Sequence, residues 1–151
     1  MLTDFPVTLV MPEKSIQTLL AFDFGMKHIG VAIGQSITKT ASSLMTLSAQ
    51  NGIPKWEQVE ALIHQWRPQA LIVGLPLNMD GSDQPITLCV RKFINRLKAK
   101  YKLPVFEVDE RLTTWEANQR ITRLKAKKIR AANETHTIAA VILIEQWMNE
   151  H

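Results

Sequence analysis

The sequence predicts an α/β fold: a five-stranded mixed sheet, order 3-2-1-4-5, flanked by helices. Three observations predict it. Two short apolar runs, Thr18 to Phe24 and His28 to Gly34, meet at a tight turn. Two later apolar runs, Ala70 to Val73 and Pro104 to Val108, each follow an amphipathic helical pattern. The closing segment, 135–149, is apolar almost all round. A short turn forces antiparallel pairing, and a helical crossover gives parallel pairing.

Residues 18–24, Thr-Leu-Leu-Ala-Phe-Asp-Phe, read as a buried strand. Gly25 to Lys27 make the turn of a hairpin. The second strand, 28–34, alternates through Ile29, Val31 and Ile33. Residues 38–47, rich in Thr and Ser, read as a third strand at the sheet edge. Pro54 opens a helix, where a proline at the first position is tolerated. Its apolar face is Trp56, Val59, Leu62, Ile63 and Trp66, and Arg67-Pro68 ends it. Ser82 or Asp83 caps a second helix with the face Ile86, Val90, Phe93, Ile94, Leu97 and Tyr101. Thr113 to Glu116 fits a capping box and starts a third. A basic loop, 125–133, leads to the last helix, which its composition predicts to be mostly buried.

The chain has 151 residues, a length that predicts one domain, taken as 18–151, behind an extension of residues 1–17. The extension carries the apolar stretch Pro6 to Met11 with no basic cluster before it, so it makes a poor signal peptide. No apolar run is long enough to span a bilayer. The cytoplasm is therefore the expected compartment, with no membrane partner. The lone cysteine, Cys89, shares helical spacing with Ile86, Val90 and Phe93 and reads as a small core hydrophobe.

The net charge of +4 is unevenly spread. Residues 91–130 hold 13 of the 18 basic residues against four acids, and the rest of the chain holds five against ten. A basic half suits a polyanion partner, though it suits a solvated helix surface equally well. Arg111, Arg123, Lys125, Lys127, Lys128 and Arg130 are the cations of this half that could meet phosphate.

Two sets of acids break the apolar pattern. Asp23 lies within Leu19-Leu-Ala-Phe-Asp-Phe, a strand expected to be covered on both faces. A carboxylate there is costly unless it is paired, hydrogen-bonded or bound to metal. Asp109-Glu110 closes a later buried strand, at the strand end where ligands gather in open α/β sheets. Alternation puts those two acids on opposite faces, so one of them at most joins Asp23. Two convergent carboxylates form an oxygen site suited to Mg²⁺ or Mn²⁺. Two such ions, roughly 4 Å apart, can stabilise both oxygens of a phosphodiester displacement. Asn78, after the strand at Ala70, orients a water or phosphate or else serves its own turn. Lys27 touches phosphate or stays solvated. Trp115 stacks on an unpaired base or packs in the core.

Four segments carry a resemblance to a known family. They are Ala21-Phe-Asp-Phe-Gly25 with His28-Ile-Gly-Val-Ala32, Ile72-Val-Gly-Leu-Pro-Leu-Asn-Met-Asp-Gly-Ser82, Asp109-Glu-Arg-Leu-Thr-Thr114 and Ile138-Ala-Ala-Val141. Together they resemble the YqgF family, also called RuvX, over residues 18–149. The resemblance implies an RNase H-like fold and a nuclease that matures the 5′ end of precursor 16S ribosomal RNA. Holliday-junction resolution is the alternative it implies. It maps the first-strand aspartate of the family onto Asp23 and the strand-end glutamate onto Glu110. The family's third carboxylate falls on His136. An imidazole offers a metal one nitrogen and no charge, so Mn²⁺ should tolerate the change better than Mg²⁺. His136 then reads as a weak ligand or general base, as filler in an impaired site, or as compensated by Glu134 or by substrate phosphate.

Three function classes follow. The first is a metal-dependent endonuclease acting on structured RNA or branched DNA, as a monomer or weak homodimer. The second is a nucleic-acid-binding module with a slow or dead site. The third is a phosphate-binding fragment of the actin and sugar-kinase type, because Asp23-Phe-Gly25 also resembles their first phosphate loop. Those enzymes need two such domains, which 151 residues do not supply.

Overall fold

A computed structural model describes residues 16–110, 119–120 and 134–151. The strands are β1 (Thr18–Asp23), β2 (His28–Gln35), β3 (Thr40–Gln50), β4 (Ile53–Pro54), β5 (Ala70–Leu75) and β6 (Val105–Asp109). The helices are α1 (Trp56–Trp66), α2 (Pro85–Tyr101) and α3 (Glu134–Glu150). The sheet order is β4-β3-β2-β1-β5-β6. The first three strands form an antiparallel meander, and β5 and β6 add in parallel to β1. This is the predicted order with one strand more.

The sixth strand corrects two expectations. Asn51 and Gly52, with φ of 52° and 78°, turn the chain sharply after β3. An Asn-Gly pair in this conformation makes a tight hairpin. Pro54 therefore sits in the edge strand β4 rather than opening a helix, and β3 is covered at its Ala49–Gln50 end. An edge strand tolerates a proline because its missing N–H faces away from the ladder. α2 is also capped later than expected, by Gln84 with Pro85 at its first position. Ser82 is instead drawn into the preceding loop by Asp80, which accepts from its N–H and its hydroxyl. The predicted third helix at 113 and the basic loop at 125–133 lie outside the described residues.

Strand alternation sorts the core into two layers. Leu20, Phe22, Ile29, Val31, Ile33, Leu71 and Val73 meet Val59 and Leu62 of α1 and Val90, Phe93 and Leu97 of α2. The opposite face presents Leu19, Ala21, Ala32, Ala70, Ile72 and Val108 to Ala140, Leu143, Ile144 and Trp147 of α3. On that second face, beyond His28 at its start, β2 offers only Gly30, Ala32 and Gly34. A Cβ at Gly30 would collide with the backbone of His136, and one at Gly34 with the Ile144 side chain. The glycines thus let α3 settle directly on the sheet. Leu143 and Ile144 are fully buried there, each contributing about 1.5–3 kcal/mol. This seat fixes the height and direction of the first turn of α3.

Candidate active site

The α3 face of the sheet ends in two acids. Asp23 continues the inward series Leu19, Ala21 at the end of β1. Glu110 continues Val108 just past β6, where its N–H donates to the Leu75 carbonyl at 3.2 Å. Asp109 has the opposite parity, so Glu110 is the acid that faces Asp23. Gly74 of β5 lies between the two strands, and the Glu110 carboxyl occupies the space a side chain there would fill. Glycine at 74 is what admits the carboxyl.

Asp23 is buried, with a side chain only 11% exposed. Its Oδ2 lies 2.7 Å from Nδ1 of His136. That hydrogen bond raises His136 above the ordinary imidazole range, burial opposes the rise, and the charge of Asp23 adds to it. Oε2 of Glu110 is buried without a hydrogen-bond partner. Burial, more than anything else, pushes the Glu110 carboxyl from 4.5 up to about 8. The charge of Asp23 and a shared hydrogen bond with it, then the charge of Asp109, act in the same direction. Without a cation the Glu110 carboxyl therefore keeps its proton at neutral pH.

The ring of His28, at the start of β2, stacks against that of His136 with centroids 6.2 Å apart. A single His at the start of a strand carries no spacing signal. Only the seating of α3 brings the two imidazoles together. Asn78 is committed within its own loop: its Nδ2 donates to Ser82 Oγ at 3.0 Å and to the Asp83 carbonyl at 3.1 Å. Lys27 is exposed and lines a groove between the β1–β2 turn and the start of α1. Arg111, Arg123, Lys125, Lys127, Lys128, Arg130 and Trp115 lie outside the described residues, as does the side chain of Glu134.

The donor set fits a hard divalent ion in part. Asp23 and Glu110 offer carboxylate oxygens, and Glu110, with its raised pKa and one unpartnered oxygen, is the group a cation would neutralise. Among the described residues no three His, Cys, Asp or Glu side chains form a closed metal cluster. Two anchors from the protein are consistent with Mg²⁺, which keeps several waters and takes its remaining ligands from substrate phosphate. No helix among the described residues is long and apolar enough to cross a membrane.

Solved structures with similar folds include Holliday junction resolvases. RuvC of T. thermophilus bound to a Holliday junction aligns with a TM-score of 0.54 at 13% identity, covering 89% of this chain and 94% of that one. The yeast mitochondrial Holliday junction resolvase also gives 0.54, at 8% identity, over 88% of this chain and 78% of its own. At such identities the likeness is one of fold, the RNase H-like fold. Closer in sequence, a protein of Haemophilus ducreyi named "Putative pre-16S rRNA nuclease" is 50% identical over 134 residues, 89% of this chain and 97% of that one. Proteins of the same name from Shewanella oneidensis and Pseudomonas fluorescens are 46% and 49% identical, over 89% and 91% of this chain and 96% and 95% of theirs. The sequence model described as "RuvX: Holliday junction resolvase" matches residues 17–150, and the chain belongs to the RuvX family.

Proposed function

We propose that this protein is a cytoplasmic, metal-dependent nuclease that hydrolyses a phosphodiester bond near the 5′ end of precursor 16S ribosomal RNA. One observation carries the reading. Two acids 87 positions apart converge on one sheet face, and one of them leaves a buried carboxylate oxygen without a partner. Structural ion pairs do not leave such an atom. The names of the relatives supply the substrate class, and their near-complete coverage of this chain supports carrying it over.

Asp23 and Glu110 would hold Mg²⁺ or Mn²⁺. The ion supplies Lewis acidity toward the phosphodiester oxygens. The protein's own residues do the rest. Glu110 must lose its proton on loading, which ties metal affinity to pH. His136 spends Nδ1 on Asp23, which fixes the carboxylate's orientation and leaves Nε2 to hold or pass a proton at the attacking or leaving oxygen. With no carboxylate at this position, Mn²⁺ should support the site better than Mg²⁺. A monomer or weak homodimer suffices for trimming an RNA end.

The test is cleavage of precursor 16S RNA and of a synthetic four-way DNA junction, each in Mg²⁺ and Mn²⁺. Wild type should cut the RNA, and Asp23→Asn and Glu110→Gln should abolish cutting. RNA left intact by wild type in both metals would end the reading. The family description favours junction resolution as the second reading. It requires two sites related by a dyad, so junction cleavage by a dimer would establish it instead.

A further inference from the structure

A second feature opens from the same corner of the sheet. The β3–β4 hairpin is tied to the β1–β2 turn by two backbone bonds, Ala49 N–H to the Lys27 carbonyl at 2.8 Å and Gly52 N–H to the Met26 carbonyl at 2.9 Å. Gly52 packs against the Phe24 ring so closely that a Cβ there would overlap it. Two surface turns are thereby locked into one wall. Between them and the entry to α1 runs an open groove of about 1070 Å³, lined by Met26, Lys27, His28, Asn51, Ile53 and Lys55 among others.

Three properties of this groove define its occupant. It carries Lys27 and Lys55 and no acid, and neither lysine is paired among the described residues. The neighbouring hollow beside Trp56 instead sets Lys55 and Lys100 against Glu57 and Glu60 and is balanced. Next, Met26 and Ile53 are exposed, at 38% and 45%, and give the groove apolar surface between its two cations. Finally, His28 lines the groove and stacks on His136, which contacts Asp23. The contacts His28 to His136 to Asp23 thus tie one wall of the groove to the acids. Cations spaced by apolar surface suit a strand with a charged backbone and flat bases. The volume exceeds that of most small-molecule sites, about 300–1,000 Å³.

We propose that this groove holds an unpaired nucleic-acid strand on its way to or from Asp23 and Glu110. Lys27 and Lys55 contact successive phosphates, and Met26 and Ile53 carry a base. The proposal rests on the nuclease reading for its direction, but binding can be measured without cleavage.

The experiment is fluorescence anisotropy of a labelled, unstructured 12-nucleotide RNA on the full-length protein in EDTA, across a salt series. Each phosphate contact on a single strand contributes about 0.7 to the slope of log K against log salt. Lys27→Glu/Lys55→Glu should weaken binding at least about tenfold and reduce that slope by about 1.4. Ile53→Ala should weaken binding while leaving the slope unchanged. Lys39→Glu, at the opposite end of β2, is the charge control and should do neither. All four residues are exposed, so the fold should survive the changes. An unchanged slope in the double variant overturns the proposal, as does an equal loss in Lys39→Glu. If wild type binds through the groove but cuts nothing, the groove stands and the nuclease reading falls. If the double variant cuts precursor RNA at the wild-type rate, the groove falls alone.

Discussion

His136 Nδ1 sits 2.7 Å from Asp23 Oδ2, joining the first turn of α3 to the end of β1 across 113 residues of sequence. The contact exists because Gly30, paired with Asp23 in the sheet, has no side chain to hold the helix away. It places an imidazole where the RuvX resemblance expects a carboxylate. Three predictions follow from the chemistry of this corner.

His136→Asp should raise the Mg²⁺-supported cleavage rate about tenfold and narrow the preference for Mn²⁺, because a third oxygen ligand binds the harder ion. Without metal the same change should lower stability by about 1–3 kcal/mol, since it sets a second carboxylate beside buried Asp23 with nothing to neutralise either. Added Mg²⁺ should restore the loss. Initial rates in each metal and melting with and without EDTA measure both effects. Equal rates for the two proteins would remove position 136 from the metal site.

Gly74→Ala should act on the site through Glu110. The added methyl overlaps Oε2 and presses on Leu143 at 3.0 Å. The carboxyl must swing away or the helix must lift. Either costs about 1–3 kcal/mol of stability. Displacing a ligand impairs chemistry more than binding, so kcat should fall while KM for RNA holds. A drop in KM affinity with kcat intact would show that Glu110 does not serve the reacting centre.

The metal-free protein should lose stability as pH rises. Glu110 releases its proton near 4.5 when unfolded but only near 8 when folded. Below 4.5 both states keep the proton and the contribution is complete. Between those values only the folded state holds it, so stability declines with pH, by about 5 kcal/mol in all. His136, also raised, acts in the same sense: its contribution is present below 6.5 and fades as pH climbs through its higher folded value. Urea denaturation in EDTA from pH 4 to pH 9 tests this, and Glu110→Gln should flatten the profile. A wild-type curve that rises over this range would contradict a buried, protonated Glu110.

Much of this was legible in the chain itself. Alternation along Leu19 to Asp23 and along Val108 to Glu110 is a local property with a period of two. The parity argument for one acid joining Asp23 therefore carries directly into the sheet. Helical crossovers before Ala70 and Val105 determined the parallel pairing and hence the strand order. The β4 edge strand was written in Asn51-Gly52, but Pro54 read more strongly as a helix start than as an edge residue.

The sequence by itself determined which strands neighbour one another and which acids share a face, because backbone pleating repeats every two residues whatever surrounds it. Only the tertiary structure decided that His28 meets His136, that Gly74 makes the room Glu110 occupies, and that the two surface turns lock into a groove. Those relationships depend on how closely α3 and the β3–β4 hairpin approach the sheet. That approach is set by side chains missing at glycines far apart in the chain, and no local periodicity encodes it.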